Sequence, residues 1–185
     1  MPSLNNITWE RLEREHSVTY PSDAEDQPGH EIVFSDGFPT PSGRARLVPA
    51  AVLPPGEEPD AEYPLILTTG RQLEHWHTGA MTRRAAVLDA IEPEAVAYLS
   101  PADLRRLAVA SGDTIRVTTR RGAIELKARM DSSLQPGLVF IPFCYAEAAA
   151  NVLTNPQLDP FGKIPEYKFC AAKVEAAQAS PAAAE

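Results

Sequence analysis

TIRVTTRRGAIELKARM, residues 114–130, is the stretch that decides the architecture. Ile115 and Val117 alternate with Arg116 and Thr118, and Ile124, Leu126, Ala128 and Met130 alternate with Glu125, Lys127 and Arg129. Arg121-Gly122 stands between the two runs. A period of two on both sides of a glycine turn predicts a β-hairpin with one buried and one wet face. Just upstream, Ser100, Pro101 and Asp103 are a helix-start signal: a capping hydroxyl, a proline in the first turn and an acid at the positive helix end. Leu104, Leu107 and Ala108 supply that helix's apolar face, and Ser111-Gly112-Asp113 is expected to end it. Further out, residues 64–69 (PLILTT) closed by Gly70 have the pattern of a buried strand feeding a loop. Pro136-Gly137 marks a turn before a second buried strand over 138–141, residues 146–150 predict a short alanine-rich helix, and residues 167–174 a last strand. Several short strands with short helical connections predict a mainly β protein built as a small barrel. No internal repeat of fixed period is present.

Residues 1–61 read differently. A short helix fits within 5–14, but Pro21, Pro28, Pro39, Pro41, Pro49, Pro54, Pro55 and Pro59 interrupt the remainder of the segment. Prolines confine strands to edges, so an extended Pro-rich arm is expected, with Trp9, Tyr20, Phe34 and Phe38 as points of contact with a surface. The expected organisation is an arm over 1–61, a barrel over 62–176 and a frayed tail over 177–185.

Seventeen basic residues against 25 acidic ones leave a net charge of -8, which argues against a general polyanion-binding surface and so against nucleic acid. Cys144 and Cys170 have no C-x-x-C spacing, which excludes a zinc knuckle, an iron–sulfur site or a disulfide scaffold and fits the cytoplasm. No apolar run reaches the roughly 18 residues that would cross a bilayer, and the first thirty residues lack the basic and apolar regions of a signal peptide.

The densest polar constellation lies directly after the first strand, over residues 68–84. Hydroxyls, a glycine and a guanidinium together suit a diphosphate, and Arg71, Arg83 and Arg84 against Glu74 make this stretch locally positive within an acidic chain. Trp76 offers a flat face to a heterocycle, and His75 and His77 can exchange hydrogen bonds. A metal site on the two histidines would lack a clear third ligand. Cys144 comes after an apolar run and reads as a buried thiol rather than a nucleophile. Asn151 and Lys168 remain as isolated polar groups suited to a heterocycle edge and an anionic oxygen.

Four ordered motifs, YPLILTTGR from Tyr63, HWHTGAMTRR from His75, ANVLT from Ala150 and PEYKFCA from Pro165, resemble the C-terminal molybdopterin-dinucleotide-binding domain of the large molybdenum or tungsten oxidoreductases. FPTPSGRARL from Phe38 is similar to the segment that leads into this domain in formate dehydrogenase catalytic subunits and related nitrate reductases. The resemblance implies a double-psi β-barrel and a bis(molybdopterin guanine dinucleotide) cofactor carrying molybdenum or tungsten. It implies that Thr69, Gly70, Arg71, Gln72, Leu73, Glu74, His75, Trp76, His77 and Thr78 line the guanine dinucleotide, with Arg71 on phosphate and Gly70 allowing close backbone approach, and that Asn151 and Lys168 make later contacts. It places iron–sulfur clusters, the metal ligand and the catalytic residues in upstream domains, so no catalytic or metal-binding residue is assigned here and no turnover is expected of these 185 residues alone. Those upstream domains and electron-transfer subunits are the implied partners. The stretch from Asn155 to the last motif looks nearer to formate dehydrogenases. The alternatives are a nitrate reductase catalytic subunit and a noncatalytic dinucleotide-binding module.

Overall fold

The computed structural model describes residues 4–177, with α1 (Trp9–Glu15), β1 (Leu65–Gly70), α2 (Ala86–Ile91), β2 (Val96–Leu99), α3 (Pro101–Leu107), β3 (Thr114–Thr118), β4 (Ala123–Met130), β5 (Leu138–Pro142) and β6 (Cys170–Ala176). Single 3-10 turns lie at Thr82–Arg84, Ala146–Ala148 and Ala150–Val152. β3 and β4 form the expected hairpin, with Ile115 opposite Leu126 and Val117 opposite Ile124. Ile115 and Val117 are fully buried, whereas Arg116 and Glu125 pair at 3.0 Å on the wet face.

The strands close into a barrel in the order β1-β5-β2-β4-β3-β6, with β6 returning to β1. β1/β5 and β2/β4 are parallel, and the other four pairings are antiparallel. Exchanging β1, β2 and β3 for β4, β5 and β6 reproduces every pairing with its sense, as the expected double-psi barrel requires. The two halves thus share a topology that no sequence repeat advertises. Closure leaves no free sheet edge along the pairings, and the inward side chains of Leu65, Leu67, Leu99, Ile115, Val117, Val139, Ile141 and Val174 fill the interior. Each such side chain contributes about 1.5–3 kcal/mol by leaving water.

The Ser100 hydroxyl caps α3 by accepting from the Asp103 backbone N–H at 3.1 Å. Asp103 is itself buried. Burial alone would raise its carboxyl, but hydrogen bonds from Ser100, the Gly137 N–H and Arg106 outweigh it and hold the group below its ordinary value. The helix stops earlier than the glycine at 112 implied: Ala108 turns left-handed (φ 53°) so that its N–H can close the last turn, which sends Val109 into the core. Three other readings are corrected. The short strand β2 and helix α2 add to the expected elements. The alanine-rich segment makes two 3-10 turns rather than a helix, and the last strand begins at Cys170, because Asn155 takes the Phe169 carbonyl as an acceptor at 2.9 Å.

The chain divides into two units, Met1–Val52 and Leu53–Glu185. In the first, Thr8 caps α1, and the buried Arg11 guanidinium donates to Asn6 O, Ser22 Oγ, Ala24 O and Gln27 O at 2.7–2.9 Å. One cation thereby organises a proline-rich segment in which no apolar side chain is buried among the described residues. Trp9, Tyr20, Phe34 and Phe38 are exposed, the last two stacked at 5.2 Å. Of the expected tail only Ala177 is among the described residues. Among those residues no helix is long and apolar enough to cross a membrane.

Candidate functional site

β1 ends at Gly70, where an added Cβ would lie 2.3 Å from the Phe140 ring. The glycine makes room for a neighbouring aromatic side chain, a packing role that the sequence did not signal. The loop after it is held by its own hydrogen bonds and by one buried side chain. Gly79 N donates to Trp76 O at 2.9 Å, and Trp76 N to Thr82 Oγ1 at 2.9 Å. Gly79 is required in two ways: its φ is +73°, and a Cβ there would lie 2.7 Å from Cys144 O. His75 is 1% exposed, with Nε2 2.9 Å from Glu92 O. A carbonyl only accepts, so Nε2 carries the proton, and the buried Nδ1 is left without a partner among the described residues. Tyr145, whose hydroxyl burial pushes up and keeps protonated, donates to the same carbonyl at 3.1 Å and packs edge-on to the imidazole.

A cleft of about 820 Å³ opens beside this loop, lined by Thr69, Arg71, His77, Thr78, Phe143, Asn151, Thr154, Pro165, Tyr167 and Lys168. β1 brings Thr69 to the cleft, and antiparallel pairing of Leu67 with Cys170 sets the segment before β6 alongside it. The Thr69 hydroxyl donates to Tyr167 O at 2.8 Å, and the Lys168 ammonium donates to Thr69 O while lying 5.5 Å and 5.8 Å from the Tyr167 and Phe143 ring centroids. Arg71 is exposed, with Nη2 3.4 Å from His77 Nε2 and its guanidinium 5.9 Å from the Trp76 centroid. Neither Arg71 nor Lys168 has a carboxylate partner among the described residues. The Asn151 side chain is exposed there too, and its amide makes no hydrogen bond among the described residues. The cleft thus presents two uncompensated cations, an unengaged amide and two aromatic rings.

Of the twelve residues singled out from the sequence, Thr69, Arg71, His77, Thr78, Asn151 and Lys168 meet at the cleft. Six do not line it. Gly70 packs against Phe140, Gln72 bonds Glu74 and Tyr98, Leu73 is 96% exposed, His75 is buried, and Trp76 is exposed beside the loop. Phe143, Thr154, Pro165 and Tyr167 line the cleft without having been expected there, although Pro165 and Tyr167 share the motif that marks Lys168. The local charge count also needs correction. Arg83 bonds Asp89 and Glu147 and stacks over Tyr145 at 4.7 Å, so it is already neutralised. Cys144 and Cys170 are buried and burial pushes both thiols up, which leaves them as inert core groups. His75 and His77 diverge, one into the interior and one into the cleft, so they do not share a ligand.

A closed β-barrel presenting free cations, an amide and aromatic faces to one cleft defines an anion- and heterocycle-binding domain. Residues 65–171 match the Molydopterin dinucleotide binding domain, and the chain belongs to that family. It is 41% identical over 174 residues to the F420-dependent formate dehydrogenase subunit alpha of Methanocaldococcus jannaschii, covering 94% of this chain and 26% of that protein. Over 186 residues it is 36% identical to the periplasmic nitrate reductase of Desulfovibrio desulfuricans, covering 92% of this chain and 25% of that protein. Among solved structures, acetylene hydratase from Pelobacter acetylenicus is similar with a TM-score of 0.57 and 25% identity over 63% of this chain and 19% of that one. The chain spans about a quarter of the length of the curated relatives it matches.

Proposed function

We propose that the cleft holds the guanine dinucleotide end of a bis(molybdopterin guanine dinucleotide) cofactor, and that this domain serves the catalytic subunit of a molybdenum or tungsten formate dehydrogenase. The observation that carries the reading is the pair Arg71 and Lys168: two cations facing one cleft without carboxylate partners, in a chain of net charge -8. The donor set fits the ligand. Arg71 and Lys168 would grip diphosphate oxygens, and the Asn151 amide would meet a guanine edge that both donates and accepts. Tyr167 and Phe143 would cover apolar faces. When bound, the cofactor's metal supplies two-electron chemistry, formate giving carbon dioxide, a proton and two electrons. The residues described here bind and orient. The iron–sulfur and metal-ligating residues, the upstream domains and the electron-transfer subunits belong to the rest of such an enzyme, and the exposed aromatics at Trp9, Tyr20, Phe34 and Phe38 are candidate contacts for it. A cytoplasmic setting accords with two unpaired cysteines.

Titration of the chain with guanosine 5′-diphosphate tests the site. Arg71→Ala removes a charge-assisted contact of about 1.5–3 kcal/mol, a loss of roughly tenfold or more in affinity. Equal binding by the variant, or none by the folded wild type, would remove the phosphate role. The similarity to nitrate reductase keeps that enzyme as the second reading. The sequence encoded upstream decides between them, and its lack of metal-binding domains would favour a noncatalytic module.

A further inference from the structure

Besides β1 and the loop that carries Arg71, His77 and Thr78, the cleft is lined by two stretches outside the named strands, residues 151–154 on one side and 165–168 on the other. Both stretches are tied to one side chain that does not line the cleft, Arg121 in the β3–β4 turn. Its Nη2 and Nε donate to Leu153 O at 2.9 and 3.3 Å, and Thr119 Oγ1 donates to the same oxygen at 2.9 Å. Nη2 also donates to Glu57 Oε1 at 3.1 Å, and Nη1 donates to Glu57 Oε2. Glu57 in turn accepts from Ala171 N at 2.7 Å. The last β3/β6 pair joins Thr118 and Lys173, so Ala171 lies two residues beyond it and the carboxylate supplies an acceptor that no strand provides. One residue earlier, Gly56 N donates to the Glu166 carboxylate at 2.9 Å. Residues 56 and 57 therefore hold both flanks of Tyr167 and Lys168, while Arg121 holds the flank of Asn151 and Thr154.

The close approach is built into the backbone at both ends. A Cβ on Gly122 would lie 2.6 Å from Val152 Cγ1, and one on Gly56 would lie 2.9 Å from Gln157 Cγ and 3.0 Å from Glu166 Oε2. The Glu57 and Arg121 side chains are 12% and 22% exposed, so the pair is largely withdrawn from water, where charge-assisted bonds hold geometry best.

We propose that Glu57 and Arg121 form the positioning clasp of the cleft, fixing two of its walls at the separation that lets Asn151 and Lys168 engage one ligand together. The inference rests on the binding role assigned to the cleft. Neither clasp residue lines that cleft; each acts through a neighbour, Arg121 through Leu153 and Glu57 through Ala171. With the clasp open, the walls keep their direct ties through Asn155 and Gln157 but lose this further one, and a ligand that spans them must complete their ordering on binding.

The test uses the 185-residue chain, its backbone amide NMR spectrum and guanosine 5′-diphosphate as probe, with Glu57→Ala, Glu57→Gln and Arg71→Ala. In ligand-free Glu57→Ala, the amide signals of 151–154 and of 166–168 are expected to move together. Glu57→Gln keeps an acceptor for Ala171 and Arg121 and should return both sets toward wild type, and it serves alone if Glu57→Ala does not fold. Probe affinity should drop about tenfold in Glu57→Ala and recover most of that in Glu57→Gln. Signal changes confined to residues 53–63, or unchanged cleft signals, would overturn the clasp whether or not the probe binds. Arg71→Ala should weaken the probe without moving the 151–154 signals of the free protein. If it does not weaken binding, the phosphate reading fails, and the clasp is still judged on the ligand-free spectra.

Discussion

The loop over residues 71–79 and the β3–β4 turn are both short connections that carry arginine in an acidic protein, and they use it in opposite ways. Arg71 stays exposed with no carboxylate beside it among the described residues. Arg120 and Arg121 are taken up by Glu57 and Asp60, and Arg120 also lies over the Tyr63 ring at 4.7 Å. A guanidinium with its bonds satisfied internally is architecture, and one left unsatisfied at a cleft is available to a ligand. Arg44, Arg46, Arg84 and Arg105 likewise have no carboxylate partner among the described residues, so what singles out Arg71 is that it faces the same cleft as Lys168.

The comparison breaks first on stability. Arg121→Ala leaves the Glu57 carboxylate and Leu153 O short of donors in a partly desolvated setting and should cost about 2–3 kcal/mol. Arg71→Ala removes no such support and should stay within about 0.5 kcal/mol. Urea unfolding monitored by far-UV circular dichroism separates the two, and equal midpoints would erase the distinction between structural and available arginines.

Ionic strength gives the next largest contrast. A diphosphate held by the exposed Arg71 and by Lys168 is screened, so its affinity should fall several-fold between roughly 0.05 and 0.5 M salt. The stability contributed by the more buried Glu57 and Arg121 should change less over the same range. A binding isotherm insensitive to salt would count against cation recognition in the cleft.

Acid then sharpens the role of the clasp. Burial alone would raise the Glu57 carboxyl, but hydrogen bonds from Arg121, the Ala171 N–H and Arg120 together lower it below its ordinary 4.5. A carboxyl lowered by folding adds stability that is complete above its unfolded value and is lost as pH falls through its folded one. The contribution of Glu57 should therefore hold above about pH 4.5 and decline below it. Glu57→Gln should flatten part of that limb, while Asp103 and the other lowered carboxyls, Glu15, Asp60, Asp131 and Asp159, preserve the rest. Urea midpoints at a series of pH values between neutral and strongly acidic measure both, and parallel wild-type and variant curves would show that the clasp carries no acid dependence.

These contrasts also show what a linear reading can reach. The hairpin and the Ser100 cap are legible because alternation, a turn glycine and a capping hydroxyl act over a few residues. β2 escapes because Val96–Leu99 is four residues long and its parallel neighbour β4 comes with a crossover rather than a turn. Arg71 and Lys168 are each visible as cations, but only the pairing of β1 with β6 brings them to one cleft; a family resemblance can name both where spacing cannot. Arg83 counts as free along the sequence because Asp89 and Glu147 reach it from separate elements. Glu57 sits among Glu58, Asp60 and prolines and has the sequence character of a solvated acid, so its place between Arg121 and Ala171 is invisible there.

The smallest expected effect asks how finely the 71–79 loop is divided. The resemblance treats its residues together as ligand contacts, yet the backbone turns Arg71, His77 and Thr78 toward the cleft and leaves Leu73 pointing into solvent at 96% exposure. A side chain with almost no buried area has little transfer energy to lose, and one that does not line the cleft has no direct contact with the probe to lose. Leu73→Ser should accordingly leave the urea midpoint unchanged within about 0.5 kcal/mol and guanosine 5′-diphosphate affinity within about twofold. A tenfold loss of binding in Leu73→Ser with unchanged stability would mean that the loop engages the nucleotide as a unit, and that the division between Arg71 and its neighbours is drawn in the wrong place.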